Sequence, residues 1–431
     1  MPPKTAPALH SDHVIVGGGA GGLLLAARLG RKLGPDRVLL IDRAVTHIWK
    51  PSLHEIVAGT RDSHQDALPY PVLARRNGFR FALGDLAALD SGDHRLTLAP
   101  VLDAKGESIA PERTVTYGRL ILATGAGTNL FGTDGADAHT FRIEDADDAR
   151  RLNRRLTDAF LGAAFSEEQV LRISIIGAGP TGVQLAAELD AAHADVISSL
   201  AADQHFRLEI SLLEMAPSIL GGQPEAVTRR ARQALDRLGV NLVTGAEVTR
   251  VRTGIVETAD GEVPADIIIW TAGAKAAGIN TSLGLKTGKL NQIVVNDRLE
   301  TSATDVWALG DCAEAPGPGE RPLPPRAQVA AQQARYLARI LIAREAGQTA
   351  PEPFVFRERG SLVSLGREEA VGAVQTGRRG GRLFIEGMIA DWLQMSLLLD
   401  HHRAILGLRR TILLALARMM QAGGVGRTRL H

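Results

Sequence analysis

A single cysteine, Cys312, in a chain of 431 residues leaves no intramolecular disulfide, no C-x-x-C redox pair and no cysteine-rich zinc site. Redox chemistry must then come from a bound cofactor. An excess of one charge is also lacking: 49 lysines and arginines against 48 aspartates and glutamates give a formal charge of +1. Such a balance offers no global field for gripping nucleic acid, and no nucleic-acid partner is expected. No stretch reaches the about 18 uncharged apolar residues that a membrane-spanning helix needs. The first 13 residues hold one lysine and no apolar core, and the run beyond them is broken by five glycines, so no signal peptide is expected and the chain is placed in the cytoplasm. Aromatics are scarce at 4%, while glycine is abundant at 46 residues. That imbalance favours an α/β chain with tight strand-to-helix turns over a β-sandwich.

Among those glycines, Gly17, Gly19 and Gly22 follow the strand-like His13–Val16 and open the helical Leu23–Leu29. This is the spacing of a dinucleotide turn: one glycine for the bend, one for close approach of a pyrophosphate, one for packing helix on strand. Asp42 ends the next apolar run, twenty residues beyond Gly22, where a carboxylate can accept from ribose hydroxyls. The pattern recurs 160 residues on, with a strand Arg172–Ile176, Gly177, Gly179 and Gly182, and a helix from Val183. Its acid is Glu214, at a longer interval that an extended helix and loop over 190–206 would fill. Two such turns predict two dinucleotides, most economically a resident FAD and an exchanging NADH.

Three apolar strands that end in small-residue loops accompany these turns. They lead into Ala123-Thr124-Gly125, Thr271-Ala272-Gly273 and Gly310-Asp311, whose acid could hydrogen-bond a ribityl chain. With Ala327-Gln328-Val329-Ala330-Ala331-Gln332, the segment His47–Glu55 and a C-terminal tail of amphipathic helices, this order resembles the type II NADH dehydrogenases, single-chain NADH:quinone oxidoreductases of the two-dinucleotide flavoprotein disulfide-reductase fold. The resemblance covers Val14 to about Leu341. Departures are Lys50, where many members have glutamine, Ala331, and a tail poor in aromatics.

The resemblance implies that FAD takes a hydride from NADH and passes two electrons to a quinone, without proton pumping, as a peripheral enzyme of the respiratory chain on the inner face of the cell membrane. Gln328 and Gln332, four apart on one helical face, would lie on the quinone side with Ala327 by the flavin. Glu188, by itself a solvated helical residue, would stand between nicotinamide and flavin. Lys50 either places a positive charge near the flavin or is a surface lysine. The related sulfide:quinone and dithiol reductases use paired cysteines, which this chain lacks. The competing reading is an NADH-dependent reductase of a soluble carrier such as ferredoxin or rubredoxin.

A discontinuous FAD domain is expected over 10–131 and 287–344, an inserted NADH domain over 132–286, and a C-terminal α+β region over 351–431 behind a stiff 350–353 linker. No metal site is expected, and His401-His402 reads as a polar helix boundary. In the tail, Ile405, Leu408, Ile412, Leu416 and Met419 recur at helical spacing opposite Arg403, Arg410 and Arg418. From residue 401 onward there are six arginines and no acid. Contact with an anionic membrane surface is expected, the alternative being a helix docked on its own core or on a second subunit. A homodimer is left open.

Overall fold

The computed structural model describes residues 9–103, 105–200, 205–349, 351–366, 370–376 and 381–422. Two sheets carry the molecule. In the first, Leu9–Val16 is the parallel neighbour of both Val38–Asp42 and Arg113–Leu122; Arg80–Leu83 continues in parallel beyond Val38–Asp42, and Val306–Ala308 pairs in parallel with Arg113–Leu122. Strands Arg95–Leu98 and Leu86–Asp90 add antiparallel edges. The central strands are unbroken apolar runs, Val14-Ile15-Val16 and Leu120-Ile121-Leu122, because both faces of a parallel sheet are covered. The helices Ala20–Leu33 and Ala327–Glu345 contribute Leu23, Leu24, Leu337 and Leu341 to that core.

The second sheet runs Asn241–Thr244, Arg207–Glu214, Val170–Ile176 and Ile267–Trp270, all parallel. Helices Ala146–Ala164, Pro180–Ser199 and Glu225–Arg237 bury Leu152, Leu185 and Leu235 against it. A two-stranded antiparallel ribbon, Ala126–Thr128 with Ala274–Ala276, lies between the two parallel sheets in the chain path. The doubly wound α/β class expected from the alternation of strand, turn and helix is the one found.

The C-terminal part departs from expectation in three ways. Its sheet has three antiparallel strands, Gly360–Ser364, Ala370–Thr376 and Gly381–Glu386, and the middle one carries no alternation clear enough to read in advance. The segment 351–354 is not a spacer: Pro351 O accepts from Arg298, Phe354 N donates to Asp297 O, and the Phe354 ring lies 5.5 Å from that of Tyr336. The tail stripe is not one helix either. Met388–Leu406 and Leu408–Ala422 are separated by Gly407 at φ +80°, a left-handed conformation suited to glycine. Ile405 is therefore fully buried in the first core, while Leu408, Ile412 and Leu416 are exposed; the side chains of Met419 and Arg418 fall outside the described residues.

Candidate functional site

Both glycine turns have the same construction. Gly17 and Gly177 adopt φ of +101° and +104°, and a Cβ there would meet Ala123 O at 2.2 Å and Ala272 at 2.7 Å. A Cβ on Gly22 or Gly182 would meet the carbonyl of Gly17 or Gly177 at about 2 Å. Gly19 and Gly179 instead face open space, and no side chain caps the helix that each begins. First-turn N–H groups are thus left for an anion such as a pyrophosphate.

The two acids also match. Asp42 accepts from Gly18 N at 2.6 Å and Ala44 N at 2.8 Å; Glu214 accepts from Ala178 N at 2.8 Å and Ala216 N at 2.9 Å. Each carboxylate ties its strand end to the turn and keeps lone pairs able to accept further hydrogen bonds. Burial pushes the Asp42 carboxyl above the ordinary range, against the backbone bonds that favour its charge. Gly18 O accepts from Tyr70 Oη at 2.8 Å and from His47 Nδ1 at 3.0 Å, two residues whose parts in the site sequence spacing did not reveal.

One cleft of about 2290 Å³ runs past these elements. Gly17, Gly19, Gly22, Asp42, Thr124, Gly125, Gly310, Asp311 and Ala327 line it, as do Lys50, Glu188, Gln328 and Gln332. From the second half come Pro180, Thr181, Gln184, Thr271 and Gly273; Gly177, Gly179, Gly182, Glu214 and Ala272 are not among the lining residues. Gly310, at φ +75°, donates its N–H to the buried Gln333 at 2.7 Å, which fixes the turn presenting Asp311. Burial raises the Asp311 carboxyl, and the Lys50 ammonium lowers it in part. Lys50 itself is exposed and reaches Ala126 O at 3.3 Å. Cys312, fully buried, donates to the Leu309 and Leu122 carbonyls, and burial raises its thiol, so it is a structural residue.

Gln328 and Gln332 meet a neighbour absent from the sequence expectation. Gln328 Nε2 donates to Glu358 at 2.8 Å and to Gly360 O at 3.0 Å; Gln332 Nε2 donates to Arg357 O at 2.9 Å and its Oε1 accepts from Arg357 N at 3.1 Å. Both amides therefore stitch the segment 357–360 onto the helix and still border the cleft. Glu188 lies within the helix Pro180–Ser199, and its Oε2 receives the Thr60 hydroxyl at 3.0 Å.

The pair His401-His402 is a correction. Both lie inside Met388–Leu406 and are buried. His401 Nε2 is 3.0 Å from His47 Nε2, and its ring lies 4.6 Å from Trp49. Because His47 Nδ1 donates to Gly18 O, His47 Nε2 accepts and His401 Nε2 donates. Burial lowers the pKa of His47 to about 4 and that of His401 well below 6.5, so both rings are neutral at pH 7. Among the described residues no cluster could hold a metal ion, and no helix is long and apolar enough to cross a membrane.

Comparison with known proteins agrees with this architecture. Residues 11–334 match the family described as pyridine nucleotide-disulphide oxidoreductase. A type II NADH:quinone oxidoreductase of Haemophilus influenzae is 32% identical over 443 residues, spanning 97% of this chain and 99% of the relative. One from Mycobacterium tuberculosis is 28% identical over 410 residues, spanning 91% and 84%. In fold, the chain is similar to NDH2 of Plasmodium falciparum solved with NADH, at a TM-score of 0.82 and 17% identity over 97% of this chain and 99% of that one. The chain belongs to the pyridine nucleotide-disulphide oxidoreductase family and, within it, to the type II NADH:quinone oxidoreductases.

Proposed function

We propose that this chain transfers electrons from NADH to a quinone through FAD bound in the long cleft. The observation that carries the reading is that one cleft is lined by the first glycine turn, by Glu188 and Asp311, and by Gln332, Leu398 and Leu414. FAD, when bound, supplies the two-electron chemistry, accepting hydride from NADH and returning electrons to quinone. The residues fit such a group, because Gly19 opens onto the cleft where a Cβ would intrude and the first turn of Ala20–Leu33 is uncapped.

In this reading the Ala20–Gly22 amides hold the FAD pyrophosphate, Asp42 its adenosine ribose and Asp311 its ribityl chain, with Thr124, Gly125, Gly310 and Ala327 around it. Gly177, Gly179, Gly182, Glu214, Ala272 and Gly273 serve NADH in the same manner. Lys50 brings a positive charge to the Asp311 side. Gln328 and Gln332 hold the 357–360 wall beside the quinone approach, and Glu188 faces the nicotinamide. The domain limits 10–131, 132–286, 287–344 and 351–431 belong to the same proposal.

We further propose that the last helix rests on an anionic membrane surface, which makes the protein peripheral on the inner face of the cell membrane. Leu408, Ile412, Leu413 and Leu416 are 49–64% exposed, next to exposed Arg409 and Arg410. A homodimer is compatible with this placement.

Half-reactions test the function. Anaerobic NADH should bleach the flavin absorbance and a short-chain quinone should restore it. Reduction by NADH with reoxidation only by a ferredoxin or rubredoxin would replace the quinone reading with that of a soluble-carrier reductase.

A further inference from the structure

We propose that Thr60 is a positioning residue that lets Glu188 be loaded with a proton and emptied again without moving, an inference that rests on Glu188 facing the nicotinamide. Reduction of a quinone by NADH takes up one proton beyond the hydride, so a carboxyl that can hold either state has a use at this site. Thr60 Oγ1 lies 3.0 Å from Glu188 Oε2 and 3.1 Å from Glu55 O, and all three residues line the cleft.

A hydroxyl has one proton and two lone-pair sites. When Glu188 is ionised, the Thr60 O–H donates to Oε2. When Glu188 is protonated, its own O–H donates to Thr60 Oγ1, and the threonine proton turns to Glu55 O. Both states are hydrogen-bonded, and one rotation about the threonine C–O bond separates them. The proton that arrives on Glu188 leaves from Glu188, and Thr60 keeps its own.

The turn is held in place for this. Arg61 N donates to Glu55 O at 3.2 Å, and the Arg61 guanidinium bridges Glu55 and Asp66. Other charged or titratable groups on the elements that carry the pair or line the same cleft are His54 on the helix Leu53–Val57, Asp62 and His64 at the helix Ser63–Asp66, Asp190 and Asp195 on the Glu188 helix, Arg150, which reaches Ser63 from Ala146–Ala164, and Arg359 before the strand Gly360–Ser364.

Infrared pH-difference spectra of the oxidised holoenzyme provide a readout separate from turnover, with the Glu188 carboxyl band assigned by its loss in Glu188→Gln. A hydrogen bond to a charged group is stronger than one to a neutral group, so Thr60→Val should destabilise ionised Glu188 and raise the midpoint of that band by about half to one pH unit. Thr60→Ser should return it. The limb of the pH profile for quinone reduction that Glu188→Gln abolishes should move with the band. Flavin content reports folding, and Thr60→Ala replaces valine if valine lowers it. A clear Glu188 band whose midpoint is the same in Thr60→Val and wild type overturns the Thr60 proposal alone. No Glu188 band at any accessible pH overturns the reading of Glu188 as a proton carrier, and Thr60 falls with it.

Discussion

At the scale of single residues, two carboxylates do the same work in two places. Asp42 and Glu214 each accept two backbone N–H groups, one from the glycine turn and one from two residues downstream. Beyond Glu214 come Met215, Ala216 and Pro217, none of them a cation to receive a 2′-phosphate. NADH should therefore exceed NADPH in kcat/KM by at least about tenfold, given that an ionised carboxylate repels a phosphate at hydrogen-bond range. Parity in steady-state kinetics would remove Glu214 from that role. Gln332 makes a second case. Its amide exchanges two hydrogen bonds with the Arg357 backbone, so Gln332→Leu should loosen the 357–360 wall and slow flavin reoxidation by quinone about tenfold or more. Flavin reduction by NADH should stay near wild type; stopped-flow traces in which only the reductive half suffers would place Gln332 elsewhere.

Among the elements, the two C-terminal helices have opposite fates. Met388–Leu406 is locked onto the first half by its own C-terminal carbonyls: Arg31 donates to Ala404 O at 2.7 Å, Asn77 to Ile405 O at 3.1 Å and Arg76 to Leu406 O. These are groups that a helix end leaves without intrahelical partners. Asn77→Ala removes the central donor at a buried position and should cost about 1–3 kcal/mol in denaturant unfolding, with faster hydrogen exchange confined first to 388–406. Leu408–Ala422 is tied down by the Thr411 bonds to Gly407 O and by partial packing of Leu414, and it presents Leu408, Ile412, Leu413 and Leu416 outward. A chain ending at Gly407 keeps His401 and Ile405 in place, so it should retain FAD and NADH oxidation with a soluble acceptor. It should also lose binding to anionic vesicles, to which each interfacial arginine contributes about 1 kcal/mol. Equal flotation of the shortened and full chains at low salt would end the membrane proposal for this helix.

For the molecule as a whole, neutral buried imidazoles make stability depend on pH. His13 and His47 are each lowered from 6.5 to about 4, His13 by burial first and then by Arg119, and His47 by burial against the Gly18 bond; His401 is also lowered well below 6.5, by burial first and then by His47. Between these values the unfolded chain binds more protons than the folded one, so stability is full above about pH 6.5 and is lost as pH falls toward 4. His13 and His47 each account for up to about 3 kcal/mol of that loss, and His401 acts in the same direction. Since His47 and His401 join the glycine turn to the penultimate helix, FAD release and loosening of 388–406 should accompany the acid transition. Thermal melting from pH 7 to 4.5 checks this: His47→Gln should flatten the slope, and an unchanged slope would assign the acid sensitivity to other groups.

Much of the framework is local and was therefore legible in advance. Glycines that must bend or admit a close neighbour, apolar strands covered on both faces, and acids at strand ends are demands that the chain meets within some forty residues. Hence Gly17 to Asp42 and Gly177 to Glu214 could be read as two dinucleotide units, and Gly310-Asp311 as their companion. What only the tertiary structure decided lies between distant segments. Tyr70 and His47 converge on Gly18 O, His401 arrives from 354 residues away, Thr60 meets Glu188 across 128, and residues 357–360 occupy the amides of Gln328 and Gln332. A stripe at helical spacing shows that one face is apolar and does not show what covers it. Gly407 alone permits the turn that sends Ile405 into the core and Leu408 to the surface, and carbonyl caps from Arg31, Arg76 and Asn77 complete that division because a buried helix end must find donors.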